Sequence, residues 1–344
     1  MNFRALDTNK ESQSNELFCS SRVTNLTLSL VAGASKLAAS FNVPSVLIGL
    51  TIVSFGTSAP ELTVSIQSAV TGQGSLAFAN VLGSNTFNIL FILGVSALIA
   101  PLVVSQELVK RDIPMLVIAS FIVTALVWDG RLSQLDAALL CSLLLFYVAY
   151  LFIQGRMLSN KNNEPTPSQQ PNRWRERAVS ILLFIVGLSL LIFGGQLMVE
   201  NAVQLARALA VDEVMIGLTI IAIGTSLPEV VTSVMASIKG HADIAVGNVI
   251  GSNSFNSLGV LGVSGLISST PLEVTSRMLN VDISVMIVAT ILCTPLLISG
   301  LILSRKEGGI LFIGYVAYFV YALLYSLREL LSMFLEQTIN EKGQ

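Results

Sequence analysis

The sequence predicts an all-α polytopic membrane protein made of two inverted-topology repeats of about five helices, with nine spans read in all. Three observations predict it. The 344 residues are 53% apolar and only 12% charged, with a mean hydropathy of +0.76; soluble domains carry roughly 25% charged residues. The remaining charges cluster between long apolar runs. One stretch of the chain, residues 49–96, recurs at 217–264.

A spanning helix needs about 20 apolar residues. In chain order the candidates are 45–70, 76–101, 113–128, 135–153, 178–199, 211–238, 242–268, 280–303 and 310–331. Some exceed the hydrocarbon core, which permits tilt or a break. Residues 154–177 are rich in Asn, Pro, Gln, Ser and charge and read as an exposed linker. The expected layout is a polar N-terminal segment (1–30), a first membrane repeat (31–153), the linker (154–177), a second repeat (178–335) and a tail (336–344).

Orientation follows from basic residues, which stay cytoplasmic in short loops. The linker carries Arg156, Lys161, Arg173, Arg175 and Arg177; Lys110, Arg111, Lys239, Arg305 and Lys306 fall on the same side. Excluding the tails, only Arg131, Arg207 and Arg277 lie opposite. The linker is therefore expected in the cytoplasm and the C-terminus outside. Segment 45–70 then runs outward and 211–238 inward, so the two copies are inverted.

The repeat itself aligns without gaps, with 24 of 48 positions identical. GLTIVSFGTSAPE at 49–61 matches GLTIIAIGTSLPE at 217–229, and NVLGSNTFN at 80–88 matches NVIGSNSFN at 248–256, at a constant offset of 229 − 61 = 168. Inverted repeats with interrupted helices are the signature of secondary transporters, with the site near the midplane. Pro60 and Pro228 each lack an N–H and disturb the preceding turn. The carbonyls near Ser54 and Ala222 are expected to be freed by this break and to serve as ion ligands.

Glu61 and Glu229 are the only ionisable residues well inside the four repeat helices. A charge at that depth is costly and needs a partner. No Lys or Arg lies at the same depth, so the partner is a cation, a proton or both. The structural alternative is a protonated glutamate tying two helices together. Thr57 and Ser58 precede Glu61 by four and three residues and are expected on its helix face, as Thr225 and Ser226 are for Glu229. Ser84 and Asn88 are four apart, as are Ser252 and Asn256, so each pair shares a face. The result is an all-oxygen cluster that suits hard cations. Calcium takes six to eight oxygens in flexible geometry. Two carboxylates balance one divalent or two monovalent ions.

Other features read as structural. Gly83, Gly94, Gly251 and Gly262 are expected to allow close helix approach. Asp112 and Asp282, at an offset of 170, read as interfacial helix caps. Cys19, Cys141 and Cys293 show no metal spacing, and the one histidine, His241, sits in a polar loop. No cofactor is expected, and no basic tract or aromatic platform points to nucleic acid.

The GTSAPE and GTSLPE segments, each followed by GSNxFN, resemble the alpha repeats of the calcium/cation antiporter superfamily, the prokaryotic sodium/calcium exchanger branch above all. The likeness runs from about Val31 onward. It implies ten helices in two inverted sets of five, with carboxylates, hydroxyls and amides binding sodium or calcium in turn. Those roles fall on Glu61, Thr57, Ser58, Ser84 and Asn88, and on Glu229, Thr225, Ser226, Ser252 and Asn256. The carbonyls of Ser54 and Ala222 match ligand positions too. Calcium, sodium and the lipid bilayer are the implied partners, and a bacterial inner membrane the implied home.

Two departures stand out. Several family members carry aspartate where this chain has Asn256. And 178–199 maps onto 10–31, which holds Lys10, Glu11, Glu16 and Arg22 and cannot span. Residues 1–22 are polar and show no signal-peptide core. Three readings stay open: calcium/sodium antiport, calcium/proton antiport, and a cation-binding membrane protein that does not transport. No nucleophile–histidine pair or paired aspartate motif suggests an enzyme.

Overall fold

Gly49 opens a helical run that Pro60 cannot let continue unbroken, since its ring crowds the preceding turn and it donates no hydrogen bond. The computed structural model describes residues 47, 49–161, isolated positions between 178 and 204, 211 and 213–342. In it the run begins as a π-turn, Gly49–Val53, and continues as α1 (Ser54–Thr57). It breaks at Ser58 and resumes as α2 (Ala59–Val70), with Pro60 in the first turn. Gly72, at φ 78°, turns the chain. Next come α3 (Gly74–Phe87), a π-turn Asn88–Ile92 and α4 (Leu93–Ile99), a single run of 26 residues. The strand β1 (Leu102–Val103), a π-turn Leu108–Asp112, α5 (Ile113–Leu126), β2 (Arg131–Leu132) and α6 (Gln134–Lys161) follow.

The same order then recurs. After α7 (Glu213–Ile216) come the π-turn Gly217–Ile221, α8 (Ala222–Thr225) and α9 (Leu227–Ile238). The α8–α9 break bends the helix by 52°. There follow α10 (Ala242–Phe255), the π-turn Asn256–Val260, α11 (Leu261–Ile267), β3 (Leu272–Glu273), the π-turn Met278–Asp282, α12 (Ile283–Ile298), β4 (Ile302–Leu303) and α13 (Arg305–Lys342). The offsets between equivalent starts are 217 − 49 = 168, 272 − 102 = 170 and 305 − 134 = 171. The structural repeat therefore extends well past the 48 residues in which the sequence repeat is visible.

Helices occupy eight of the nine expected span positions. The ninth, 178–199, lies outside the described residues apart from isolated positions, as do the N-terminal segment 1–30 and most of the linker. Among the described residues, four helices are long and apolar enough to cross a membrane, or five if the bent α8–α9 pair is one span. Leu135, Trp128, Phe146 and Ile313 are exposed on the outer faces, as suits contact with lipid. The four two-residue strands were not expected from the sequence. They pair across the repeats, β1 with β4 and β2 with β3, both antiparallel.

The two halves interlock rather than sit side by side. α10 packs on α1 and its π-turn; reciprocally, α3 packs on α8 and the π-turn before it. Glycine makes that approach possible. A Cβ on Gly83 would meet Leu218 O at 2.5 Å, and one on Gly251 would meet Leu50 O and Ser54 Oγ at 2.7 Å. Gly94 and Gly262 do the same against α13 and α6, where a Cβ would fall 2.9 Å from Phe312 N and 2.7 Å from Cys141 Sγ. All four glycines thus have the packing role their spacing suggested.

Candidate ion-binding site

The breaks at Ser58 and Ser226 place Glu61 and Glu229 in the first turns of α2 and α9. Helix N-termini present unpaired N–H groups and favour negative charge. Both glutamates are wholly buried. The serines at the breaks have φ −81°, ψ 6° and φ −83°, ψ 8°, outside regular helix.

That geometry corrects one expectation. Ser58 does not serve Glu61, nor Ser226 Glu229. Ser58 Oγ donates to Glu229 Oε1 at 3.1 Å, and Ser226 Oγ donates to Glu61 Oε1 at 2.8 Å. The three-residue spacing puts groups on one face only in a continuous helix, and the break turns each serine toward the other repeat. Ser252 Oγ also reaches Glu229 Oε1 at 3.5 Å.

The threonines cross over as well. Thr57 Oγ1 donates to Asn248 Oδ1 at 3.1 Å and lies 3.4 Å from Ser252 Oγ. Thr225 Oγ1 donates to Asn80 Oδ1 at 3.3 Å. Asn80 in turn donates to Glu61 O (3.3 Å) and Ser65 Oγ (3.0 Å), while Asn248 donates to Ser233 Oγ (3.0 Å). Asn80 and Asn248 thus brace the motif helices. Their exact repetition was the visible signal, but their partners were not.

The carbonyls of Ser54 and Ala222 are not freed as expected. Ser54 O accepts from Ser58 N–H at 3.0 Å, and Ala222 O from Ser226 N–H at 3.1 Å. Proline removes its own donor further along, so these bonds survive. Thr57 and Thr225 hydroxyls bond the same two oxygens at 3.3 and 3.4 Å. The Ser54 side chain turns back to Leu50 O at 2.7 Å and away from the site.

Against this well-bonded frame stand several buried atoms with no hydrogen-bond partner. On the motif residues they are Glu61 Oε2, Glu229 Oε2, Ser84 Oγ, Asn85 Oδ1, Asn88 Oδ1 and both amide atoms of Asn256; Ser96 Oγ, Thr232 Oγ1, Ser264 Oγ, Asp282 Oδ2 and the Arg277 guanidinium nitrogens have no hydrogen-bond partner either. Buried polar groups are nearly always satisfied, so each needs an explanation. Six of the seven motif atoms are oxygens. Oxygens of two carboxylates, a hydroxyl and two amides are a donor set for a hard cation. Among the described residues no group of three or more His, Cys, Asp or Glu could hold a metal; the site has two carboxylates and otherwise neutral oxygens.

Asp112 and Asp282 also need correction. Each sits at the N-cap position of its helix but makes no side-chain cap bond. The preceding π-turns keep their backbones helical, so no free N–H faces them. Asp112 instead takes two bonds from Arg111, at 2.8 and 2.7 Å, and one from Tyr147 OH at 3.1 Å. Asp282 takes one from Tyr318 OH at 3.0 Å, with Arg277 3.7 Å away. They tie α5 to α6 and α12 to α13.

Two interlocked repeats, each contributing a broken helix and a buried carboxylate to one candidate site, mark a polytopic membrane transporter of cations. The chain belongs to the sodium/calcium exchanger protein family, which matches residues 24–153 and 179–324. It is 37% identical over 266 residues to the inner membrane protein YrbG of Escherichia coli (strain K12), covering 76% of this chain and 81% of that one. It is 31% identical over 330 residues to the sodium/calcium exchanger MaX1 of Methanosarcina acetivorans, covering 84% and 92%. A structure of the sodium-calcium exchanger NCX_Mj soaked with Na+ and Sr2+ superimposes with a TM-score of 0.73 at 28% identity, over 87% of this chain and 94% of that one.

Proposed function

We propose that this protein exchanges calcium for sodium across the membrane by alternating access. Glu61 and Glu229 supply the charge at one shared site. Ser84, Asn88 and Asn256 supply neutral oxygens, while Thr57, Ser58, Thr225, Ser226 and Ser252 hold or join the ligand set. The Ser54 and Ala222 carbonyls join the set when the Thr57 and Thr225 hydroxyls turn away from them. The observation that carries this reading is the reciprocal pairing of each repeat's serine with the other repeat's glutamate, which leaves one oxygen of each carboxylate unpartnered. A site shared this way changes shape whenever the repeats move against each other.

The layout belongs to the same proposal. Residues 31–153 and 178–335 form the two membrane repeats, 154–177 a cytoplasmic linker, and the C-terminus lies outside a bacterial inner membrane. The family membership and the likeness to MaX1 and NCX_Mj support sodium and calcium as the cargo.

Calcium-45 uptake into sodium-loaded vesicles tests the reading. An outward sodium gradient should drive uptake, and Glu61→Gln or Glu229→Gln should abolish it. Uptake that follows a proton gradient and ignores sodium would replace sodium with protons as counter-ion. Calcium binding without uptake would leave a binding protein and no exchanger.

A further inference from the structure

Asn85 and Asn253 occupy equivalent positions in the two repeats, between the site residues Ser84/Asn88 and Ser252/Asn256. Both are buried and neither belongs to the proposed ligand set. Their hydrogen bonds settle which end of a neighbouring amide is left unpartnered.

Asn253 Nδ2 donates to the backbone carbonyl of Asn85 at 3.0 Å. A carbonyl only accepts, so this bond fixes the orientation of the Asn253 amide. Its other end, Oδ1, is then an acceptor, and Asn88 Nδ2 donates to it at 2.9 Å. Asn88 is thereby held nitrogen-inward. Its Oδ1 is left unpartnered, one turn from the unpartnered Ser84 Oγ. A cation needs that end of the amide, since the nitrogen end repels it.

The twofold-related arrangement is absent. By symmetry Asn85 Nδ2 would bond Asn253 O, and Asn256 Nδ2 would bond Asn85 Oδ1. Instead Asn85 Nδ2 donates to Ser257 Oγ at 2.9 Å. Asn85 Oδ1 and both amide atoms of Asn256 have no partner. A sequence difference falls at this point: Ser257 stands where the first repeat has Ile89, at 257 − 89 = 168. An isoleucine there leaves Asn85 Nδ2 only its weak contact with Met286 Sδ, at 3.8 Å.

We propose that Asn253 is a positioning residue that presents the Asn88 oxygen to the transported cation, and that Ser257 unlocks Asn256 by capturing Asn85. The inference rests on the ion site described above and adds an asymmetry to it. One amide ligand is preset and the other is free to turn. The cation therefore meets a preset amide oxygen on the Asn88 side, whereas the Asn256 side must be ordered at each binding event. That ordering weakens calcium binding and eases release.

Calcium titrations of the purified full-length chain, read as thermal stabilisation, test this without requiring transport. Asn253→Leu should raise the half-saturating calcium about tenfold, the scale on which loss of an outer-shell partner acts. Ser257→Ile should lower it, because the symmetric lock can form. That gain should vanish in Asn85→Leu/Ser257→Ile, where the locking amide is gone. Misfolding cannot produce a gain, so Ser257→Ile separates positioning from a merely structural role. If wild type responds to calcium and both Asn253→Leu and Ser257→Ile leave the midpoint unchanged, the inference is overturned and the ion site stands. If wild type shows no calcium response that Glu229→Gln removes, the ion site itself falls and this inference with it.

Discussion

At the scale of single residues, the site is a frame of satisfied bonds around a few unsatisfied oxygens. Removing a frame member should therefore weaken ion binding without touching the ion's charge balance. Ser226→Ala takes away the 2.8 Å bond to Glu61 Oε1. Hydrogen bonds to charged groups contribute about 1.5–3 kcal/mol, so the half-saturating calcium should rise at least tenfold. Ser58→Ala, whose bond to Glu229 is 3.1 Å, should act in the same direction. A calcium titration that finds either variant equal to wild type would refute the crossed pairing. Away from the site, Tyr147→Phe removes the hydroxyl that Asp112 accepts. It should lower the melting temperature while leaving calcium affinity within twofold, since the Arg111–Asp112–Tyr147 group lies outside the site. Glu61 and Glu229 were legible in the sequence because a charge in an apolar run stands out. Asn253 was not, because its importance lies in which atom it turns toward Asn88.

At the scale of elements, the proline breaks and the close glycine contacts carry opposite demands. The breaks open backbone and turn Ser58 and Ser226 outward from their own helices. The glycines bring intact helices near enough to receive those side chains. A methyl on Gly83 would fall 2.5 Å from Leu218 O and 2.7 Å from Ala222 Cβ. Both belong to the second repeat and neither is a flexible chain end. Gly83→Ala should cost about 1–3 kcal/mol through overpacking. Because α3 presses on α8, it should also weaken calcium binding, which differential scanning calorimetry with and without calcium would separate. The π-turns that begin at Asn88 and Asn256 are a further element-level device. Such local widening of a helix is frequent at functional sites, and here it begins at the two amides themselves. Helix positions were readable from hydropathy because apolar runs of spanning length are unmistakable. The breaks were readable from proline. The π-turns were not, since Asn-Ile-Leu-Phe-Ile and Asn-Ser-Leu-Gly-Val share only the asparagine and a leucine, neither of which marks a widened turn.

At the scale of the whole molecule, the repeats exchange contacts at every level. The strands pair across them, the helices pack across them, and the serines bond across them. Neither half holds a complete site: Glu61 lacks its hydroxyl donor without Ser226, and Glu229 without Ser58 keeps only the 3.5 Å bond from Ser252. Residues 1–165 and 166–344 expressed separately should each fail to bind calcium. Co-expression should restore binding if the halves associate. Calcium binding by either half alone would show that one repeat suffices, against the shared site.

The sequence by itself determined the membrane class, the doubled motif, its inversion and the two buried carboxylates, because hydropathy, charge placement and self-similarity are properties of the chain read along its length. It also singled out Thr57, Ser58, Thr225, Ser226 and Ser252, whose side chains bond across the repeats. Only the tertiary structure decided how those residues pair. Spacing along a helix relates Ser58 to Glu61, but the break at Ser58 cancels that relation and the packing of two repeats substitutes another. Contacts inside each repeat made Asp112 and Asp282 anchors for Tyr147 and Tyr318 in place of caps, and local backbone bonds kept the Ser54 and Ala222 carbonyls paired. Partners that are 165 to 171 residues apart in the chain meet only because the second repeat folds back on the first.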